Sequence, residues 1–345
     1  MKPLSKPFVR LISFLLVILL SILSPTGVAQ APIALVATGS SLPEPLYVLW
    51  ADEYRKEYAD IQIRYLPEGT AESAKLILSG TGDFGGGDAP ISEKQLKAAS
   101  GKMLELPTVL ICIVVIYNLP GIEGDLRVSG PVLSDIFLGK VKMWNDPALL
   151  KLNPQMKLPA LAIQVVHRTE GKGSNYIFSD YLSKVSPEFL AKAGRGESPS
   201  WPLGASAARA QDMAEKVRSM PGAIGYTELY LAQKASLRVA QVKNAAGEFI
   251  RPSVKTVAAA ALGVKMPDDF RISLTNAPGK ESYPISSFTW LYVPPIANDA
   301  TRGRAVADYL KWVYTEGQKI AQEQGYAVLP NEVLEKVRAK AATAR

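Results

Sequence analysis

Three short segments of the sequence join glycine, a hydroxyl and the start of a helix: Gly39-Ser40-Ser41-Leu42-Pro43, Gly69-Thr70-Ala71-Glu72-Ser73 and Gly171-Lys172-Gly173-Ser174-Asn175. A helix N-terminus carries unpaired N–H groups and a partial positive charge, so it attracts an anion. Ser41, Thr70 and Ser174 each add a hydroxyl donor. The plainer alternative is that each merely caps its helix. Three copies of one design, each following a strand, weigh against it. Arg168 stands just before the third segment, and a guanidinium fork matches a tetrahedral oxyanion in geometry as well as charge. Glu170, two residues on, is placed to orient that fork. The alternative for Arg168 is a surface salt bridge, common and weak.

Asp83-Phe84-Gly85-Gly86-Gly87-Asp88-Ala89-Pro90 lets backbone approach something closely through its glycines. Asp88 beside an anion is wrong on charge alone. It becomes useful when the ligand carries a proton, because a carboxylate accepts that proton and repels a fully ionised anion. Otherwise Asp88 caps a turn.

Several chemistries are excluded or weakened. Gly80, Gly82 and Gly85 form a G-x-G-x-x-G, but it follows a helix instead of opening one, so the dinucleotide context fails. Gly171 to Ser174 lacks the Gly-Lys-Ser/Thr order of a P-loop. The single cysteine, Cys112, lies in the apolar run Val109–Ile116, which reads as core and permits no internal disulfide. The single histidine, His167, leaves no pair for zinc. A phosphatase using Ser41 or Ser174 would need His167 as its base, yet in a strand it points away from its neighbour Arg168.

These residues need elements to hold them. Ile33–Ala37, Ile61–Leu66, Val109–Tyr117, Ile163–Val166, Ala223–Tyr226 and Phe288–Val293 read as strands. The face Leu46, Leu49, Trp50 and Tyr54 reads as a helix, as do Thr70–Ser79, Ser174–Leu182, Arg302–Glu316 and Val333–Ala341. Such alternation predicts an α/β protein, and the length predicts two domains, with crossings near Asn118 and Ser286. Upstream, Lys2, Lys6 and Arg10 precede the apolar run Leu11–Leu23 and then small residues. This order is a secretory signal peptide spanning 1–29, cut after Ala29, with Ala31 as the second choice. It places the mature chain in the periplasm. The net charge of +7 less the leader's 3 leaves about +4, too mild to call for nucleic acid.

On these residues the sequence resembles the phosphate-binding protein family (PstS) of bacterial phosphate ABC transporters. Matching segments run in order: Gly39 to Tyr47, Asp83 to Ser92, Leu106 to Val109, and Asp135-Ile136-Phe137-Leu138-Gly139-Lys140 with Trp144. They continue through Lys151 to Pro154, Arg168 to Leu182, Pro221-Gly222-Ala223-Ile224-Gly225-Tyr226 and Tyr283-Pro284-Ile285. The resemblance implies a two-lobed, type II periplasmic binding protein fold with a hinge and a ligand cleft. One lobe would comprise 30–117 plus 287–345, the other 118–286. It implies inorganic phosphate held by the Ser41 hydroxyl, the Leu42 N–H, Thr70 and Asp88 from one lobe. Arg168, Gly173 and Ser174 would serve from the other, with Glu170 partnering the arginine. It further implies a monomeric, non-enzymatic carrier without cofactor or metal, delivering phosphate to membrane permease subunits.

The sequence departs from the family at Lys172, where a serine is usual, at Leu42, usually aromatic, and at Ala71, Glu72 and Ser73, usually Ser/Gly-rich. Ala205 to Ala210 replace a glycine-rich loop. Lys172 either points its ammonium at the anion or turns outward, leaving its backbone N–H to the ligand and pairing with Glu72. The second arrangement is expected, because an ammonium is costly to desolvate. These departures keep open a different oxyanion (arsenate, sulfate or an organophosphate) or a ligand-sensing relative.

Overall fold

A computed structural model describes residues 32–98, 103–262, 264–295 and 299–344. The signal-peptide reading, with its cut after Ala29 or Ala31, lies outside them. No helix among the described residues is long and apolar enough to cross a membrane.

The strands are β1 (Ile33–Thr38), β2 (Ile61–Leu66), β3 (Phe84–Gly87), β4 (Leu104–Tyr117), β5 (Arg127–Val128), β6 (Gln164–Arg168) and β7 (Ala205–Ala207). They continue with β8 (Ala223–Glu228), β9 (Arg238–Val239), β10 (Gln241–Lys243), β11 (Phe249–Ile250), β12 (Ser286–Val293) and β13 (Ala327–Val328). One large sheet runs in the order β2-β1-β3-β12-β4-β8-β6-β7, with β13 and β9 also paired to β4. β5, β10 and β11 form a small separate sheet. The α/β expectation holds: β1 pairs in parallel with β2 and β3, and β6 in parallel with β7 and β8, each set wrapped by helices.

β4 organises the molecule. Its residues Leu104–Cys112 pair with β12, and Ile113–Tyr117 pair with β8. Almost all of it is buried, so its Val, Leu and Ile run is apolar on both faces, as a central strand requires. Cys112 sits in this core as a buried free thiol. Two sets of elements hang on the two stretches. Helices α1 (Glu44–Glu57), α2 (Thr70–Leu78), α5 (Ala300–Trp312) and α6 (Asn331–Ala341) accompany β1, β2, β3 and β12. Helices α3 (Gly173–Val185) and α4 (Ala210–Ser219) accompany β6, β7 and β8.

Aromatic side chains fill both cores. Tyr47 stacks on Trp50 at 5.3 Å in the first, and Phe178 on Tyr226 at 4.3 Å in the second. In the first core the glycine run Gly85–Gly87 makes room. A Cβ on Gly87 would lie 1.9 Å from the Tyr292 hydroxyl oxygen, so only glycine lets β3 lie against β12 there. The expectation that these glycines permit close approach is met, with the protein's own tyrosine as the neighbour.

Candidate anion-binding site

The loops after β1, β3 and β6 meet at one place. β1 leads into Gly39, whose carbonyl accepts from Gly69 N–H at 2.8 Å, which docks the start of α2 against the turn. The Ser40 N–H donates to the Gly86 carbonyl at 3.1 Å and ties the same turn to β3. The chain then reaches Asp88, which is fully buried. Its N–H donates to Thr70 Oγ1 at 3.2 Å. Its Oδ2 accepts from the Ser40 hydroxyl, and Thr70 Oγ1 lies 3.5 Å away. Asp88 Oδ1 is buried and has no hydrogen-bond partner among the described residues.

From the other side β6 delivers Arg168, only 2% exposed. Its Nε donates to the Ala207 carbonyl at 3.2 Å and one Nη to that of Ala208 at 2.9 Å. The other Nη donates to Ser174 Oγ at 3.4 Å. The main chain is fixed as well. Arg168 N–H donates to the Tyr226 hydroxyl at 3.1 Å, and that hydroxyl donates to Asn175 Oδ1. Asn175 Nδ2 in turn holds the Thr169 and Glu197 carbonyls at 2.7 and 3.0 Å. The arginine and the start of α3 are therefore one rigid unit.

The two sides touch. Ala71 N–H donates to the Gly171 carbonyl at 3.2 Å, and Lys172 Nζ to the Glu68 carbonyl at 3.3 Å. Gly173 comes closest: a Cβ there would lie 2.2 Å from Asp88 Oδ2 and 2.6 Å from Thr70 Oγ1. Thr70, Asp88, Arg168, Gly173 and Ser174 are thus brought together, all buried, at the facing N-termini of α2 and α3.

The capping alternative fails at all three hydroxyls. The N-cap residues are Pro43, Gly69 and Lys172, and none of these helices has a side-chain cap bond. Ser41 lies two residues before its cap and makes no side-chain hydrogen bond among the described residues.

Charge and burial compete here. Burial pushes the Asp88 carboxyl up to about 6, against the hydroxyls of Ser40, Thr289 and Thr70 and the more distant Arg168 guanidinium, which pull it down. Burial lowers the Arg168 guanidinium, opposed by Tyr226, Asp212 and Asp88. Burial and then Arg168 lower the Lys172 ammonium. A buried carboxyl and a desolvated guanidinium thus lie at one place, and a tetrahedral anion carrying a proton complements both.

Three expectations need correction. Leu42 N–H is not open to a ligand here: it donates to Ser40 Oγ at 3.1 Å in a local serine turn. Glu170 is exposed and makes no ion pair with Arg168 among the described residues, because the guanidinium is already held by the Ala207 and Ala208 carbonyls. Lys172 turns away from the arginine, which would repel it, and crosses to the Glu68 carbonyl. Glu72 is not its partner, being engaged by Lys75 at 3.1 Å one turn along α2. Sequence reasoning missed Ser40, Tyr226 and Asn175. Ser40 was within reach as the serine beside Ser41. Nothing in the sequence joins Tyr226 to Asn175, which are 51 residues apart.

His167 stacks on Trp201 at 5.7 Å, with Nδ1 3.0 Å from the Arg168 carbonyl. It has no hydrogen bond to Ser41 or Ser174 among the described residues. Nor do these contain a cluster of three or more His, Cys, Asp or Glu fit for a metal.

A family model described as a PBP superfamily domain matches residues 26–316. The phosphate-binding protein PstS of Pasteurella multocida is 36% identical over 331 residues, covering 95% of this chain and 94% of its own. That of Xylella fastidiosa is 35% identical over 319 residues, covering 91% and 86%. Among solved structures, a high-affinity periplasmic phosphate-binding protein (PfluDING) bound with phosphate superposes with a TM-score of 0.72. It is 20% identical, with 89% of this chain and 93% of that one covered.

Proposed function

The chain belongs to the phosphate-binding protein PstS family of the PBP superfamily, and from that premise we propose that it captures inorganic phosphate between two lobes and hands it to an ABC-type importer. The observation that carries this is the convergence of Asp88 and Thr70 with Arg168, Gly173 and Ser174 from opposite stretches of the β4-centred sheet. The proposed lobes are 30–117 plus 287–345 and 118–286, a division supported by the exchange of β4 partners from β12 to β8 at Ile113, a few residues before the crossing. Arg168 supplies the positive fork, and Thr70 and Ser174 supply hydroxyls. The N–H groups at the starts of α2 and α3 add neutral donors. Asp88 accepts the proton of the anion, which distinguishes phosphate from sulfate. Ser41 joins as a third hydroxyl when the ligand draws that turn toward itself. Lys172 turns its ammonium to the Glu68 carbonyl and gives its N–H to the Glu197 carbonyl at 3.3 Å, so it shapes the loop without donating to the anion.

The chain acts as an exported, monomeric carrier with membrane permease subunits as partners and without catalysis. A phosphatase would need His167 against a serine, and that ring is stacked on Trp201 instead. Calorimetry of the mature protein with phosphate, arsenate, sulfate and a phosphate ester tests the reading. Saturable one-to-one phosphate binding with sulfate at least ~30-fold weaker is expected, about 2 kcal/mol. Equal binding of sulfate, or preference for the ester, would replace phosphate as the ligand.

A further inference from the structure

The hydroxyl of Ser40 sits where it controls the acid of the site. It gives its one proton to Asp88 Oδ2 and receives the Leu42 N–H at 3.1 Å, so its hydrogen has a fixed direction. Ser40 is 2% exposed, and its main-chain N–H and carbonyl are held by Gly86 and by the Tyr65 hydroxyl at 3.1 and 2.7 Å. Four bonds therefore hold this residue in one orientation. We propose that Ser40 is a selectivity-determining residue of the anion site: its fixed hydroxyl keeps Asp88 an ionised acceptor, which admits an oxyanion that brings a proton and turns away one that brings none.

This rests on the binding reading above and adds to it a residue outside the expected ligand set. A hydrogen bond donated to a carboxylate favours its charged form. Asp88 needs that help, because it is fully buried and Arg168, the guanidinium that faces it, is spread over Ala207, Ala208 and Ser174. The hydroxyls of Thr289 and Thr70 act in the same direction but stand behind Ser40. Thr70 of α2 is 3.5 Å from Oδ2. Thr289 of β12 donates to the Gly87 carbonyl. Tyr47 of α1, Tyr65 of β2 and Tyr292 of β12 are kept neutral by burial. Glu228 at the end of β8, itself raised to about 7 by burial, opposes ionisation of Asp88. Lys172 is turned to Glu68. Ser40 is the strongest single influence favouring the carboxylate. Without it Asp88 keeps its proton to higher pH. It then becomes a donor, which suits sulfate.

The test has two arms. In ligand-free protein, the Asp88 carboxyl is titrated by carbon-13 NMR in wild type and in Ser40→Ala, Ser40→Gly and Ser40→Thr. Wild type should titrate near about 6, Ser40→Ala and Ser40→Gly about one pH unit or more higher, and Ser40→Thr near wild type. In the second arm the ratio of sulfate to phosphate affinity is followed from pH 5 to 8. Loss of sulfate exclusion on acidification should occur about one unit higher in Ser40→Ala. An unchanged Asp88 midpoint in both Ser40→Ala and Ser40→Gly overturns the proposal, whichever anion the protein takes. Absence of phosphate binding in wild type would remove the phosphate reading alone, since the first arm uses no ligand.

Discussion

Gly173 faces Asp88 so closely that a single added methyl would overlap the carboxylate, 2.2 Å from Oδ2. The two residues come from the loops after β6 and after β3, on the two sides of β4.

Gly173→Ala should therefore hold the lobes apart. Neither Asp88 nor Thr70 can yield easily, as both are buried and hydrogen-bonded. Phosphate affinity should fall at least tenfold, about 1.4 kcal/mol. Small-angle scattering with saturating phosphate should give a larger radius of gyration than wild type. Wild-type affinity in this variant would mean the ligand is held without this closure.

Arg168→Ala should weaken phosphate at least ~30-fold, because the anion is left with neutral donors only. The Ala208 carbonyl loses the guanidinium and that of Ala207 keeps only the Thr169 N–H, so a modest drop in melting temperature should accompany it. A change under threefold with the fold intact would move the site elsewhere.

Lys172→Ser should change phosphate affinity by less than about fivefold at moderate salt. The lysine's bond to the Glu68 carbonyl is solvent-exposed, and exposed polar contacts contribute at most ~1 kcal/mol. The effect should be on the release rate, since this contact exists only with the lobes together. A tenfold loss measured by calorimetry would place the ammonium on the anion.

Stability should fall as pH rises from about 4.5 to about 7. Burial raises Glu105 and Glu228 to about 7 and Asp88 to about 6. Across that window the folded chain keeps protons that the unfolded chain has released, so raising the pH favours unfolding. Asp180 is held below its ordinary 3.8 by Ser273, Thr275 and Lys184, despite its burial, and acts at lower pH with the opposite sign. Ligand-free protein should melt a few degrees lower at pH 8 than at pH 5. Glu228→Gln should narrow that gap, and an equal gap in the variant would remove Glu228 from the account.

The sequence made most elements legible wherever an apolar period was uninterrupted. Ile61–Leu66 coincides with β2, and Thr70–Ser79 differs from α2 by one residue. The strand read as Val109–Tyr117 begins five residues earlier, at Leu104. Pro107 has no N–H for the ladder, and the pairing with β12 accommodates it at an irregularity between Thr289 and Trp290. The helix read as Arg302–Glu316 ends its regular course at Trp312 and continues as a π turn over Val313–Gly317. At the site, Thr70, Asp88, Arg168 and Ser174 were legible because each stands at the end of an element with a chemistry unusual for its place. The choice between Ser40 and Ser41 was not, since it depends on which hydroxyl the turn directs at Asp88. Glu170 failed for a related reason: proximity in sequence to Arg168 said nothing of the carbonyls that reach the guanidinium first.

The unbroken run of β4 also bears on how such a chain can be divided or inherited. Its last five residues, Ile113–Tyr117, lie against β8, so the elements that follow β4 are built on a strand shared with those that precede it. A gene fragment encoding 118–286 would leave β8, buried along its whole length, with one edge bare, and open apolar edges pair with other chains. A fragment ending at Tyr117 would carry the same five residues with nothing to face. An exchange of parts that keeps β4 with both its partners therefore has to carry the elements on both sides of it together.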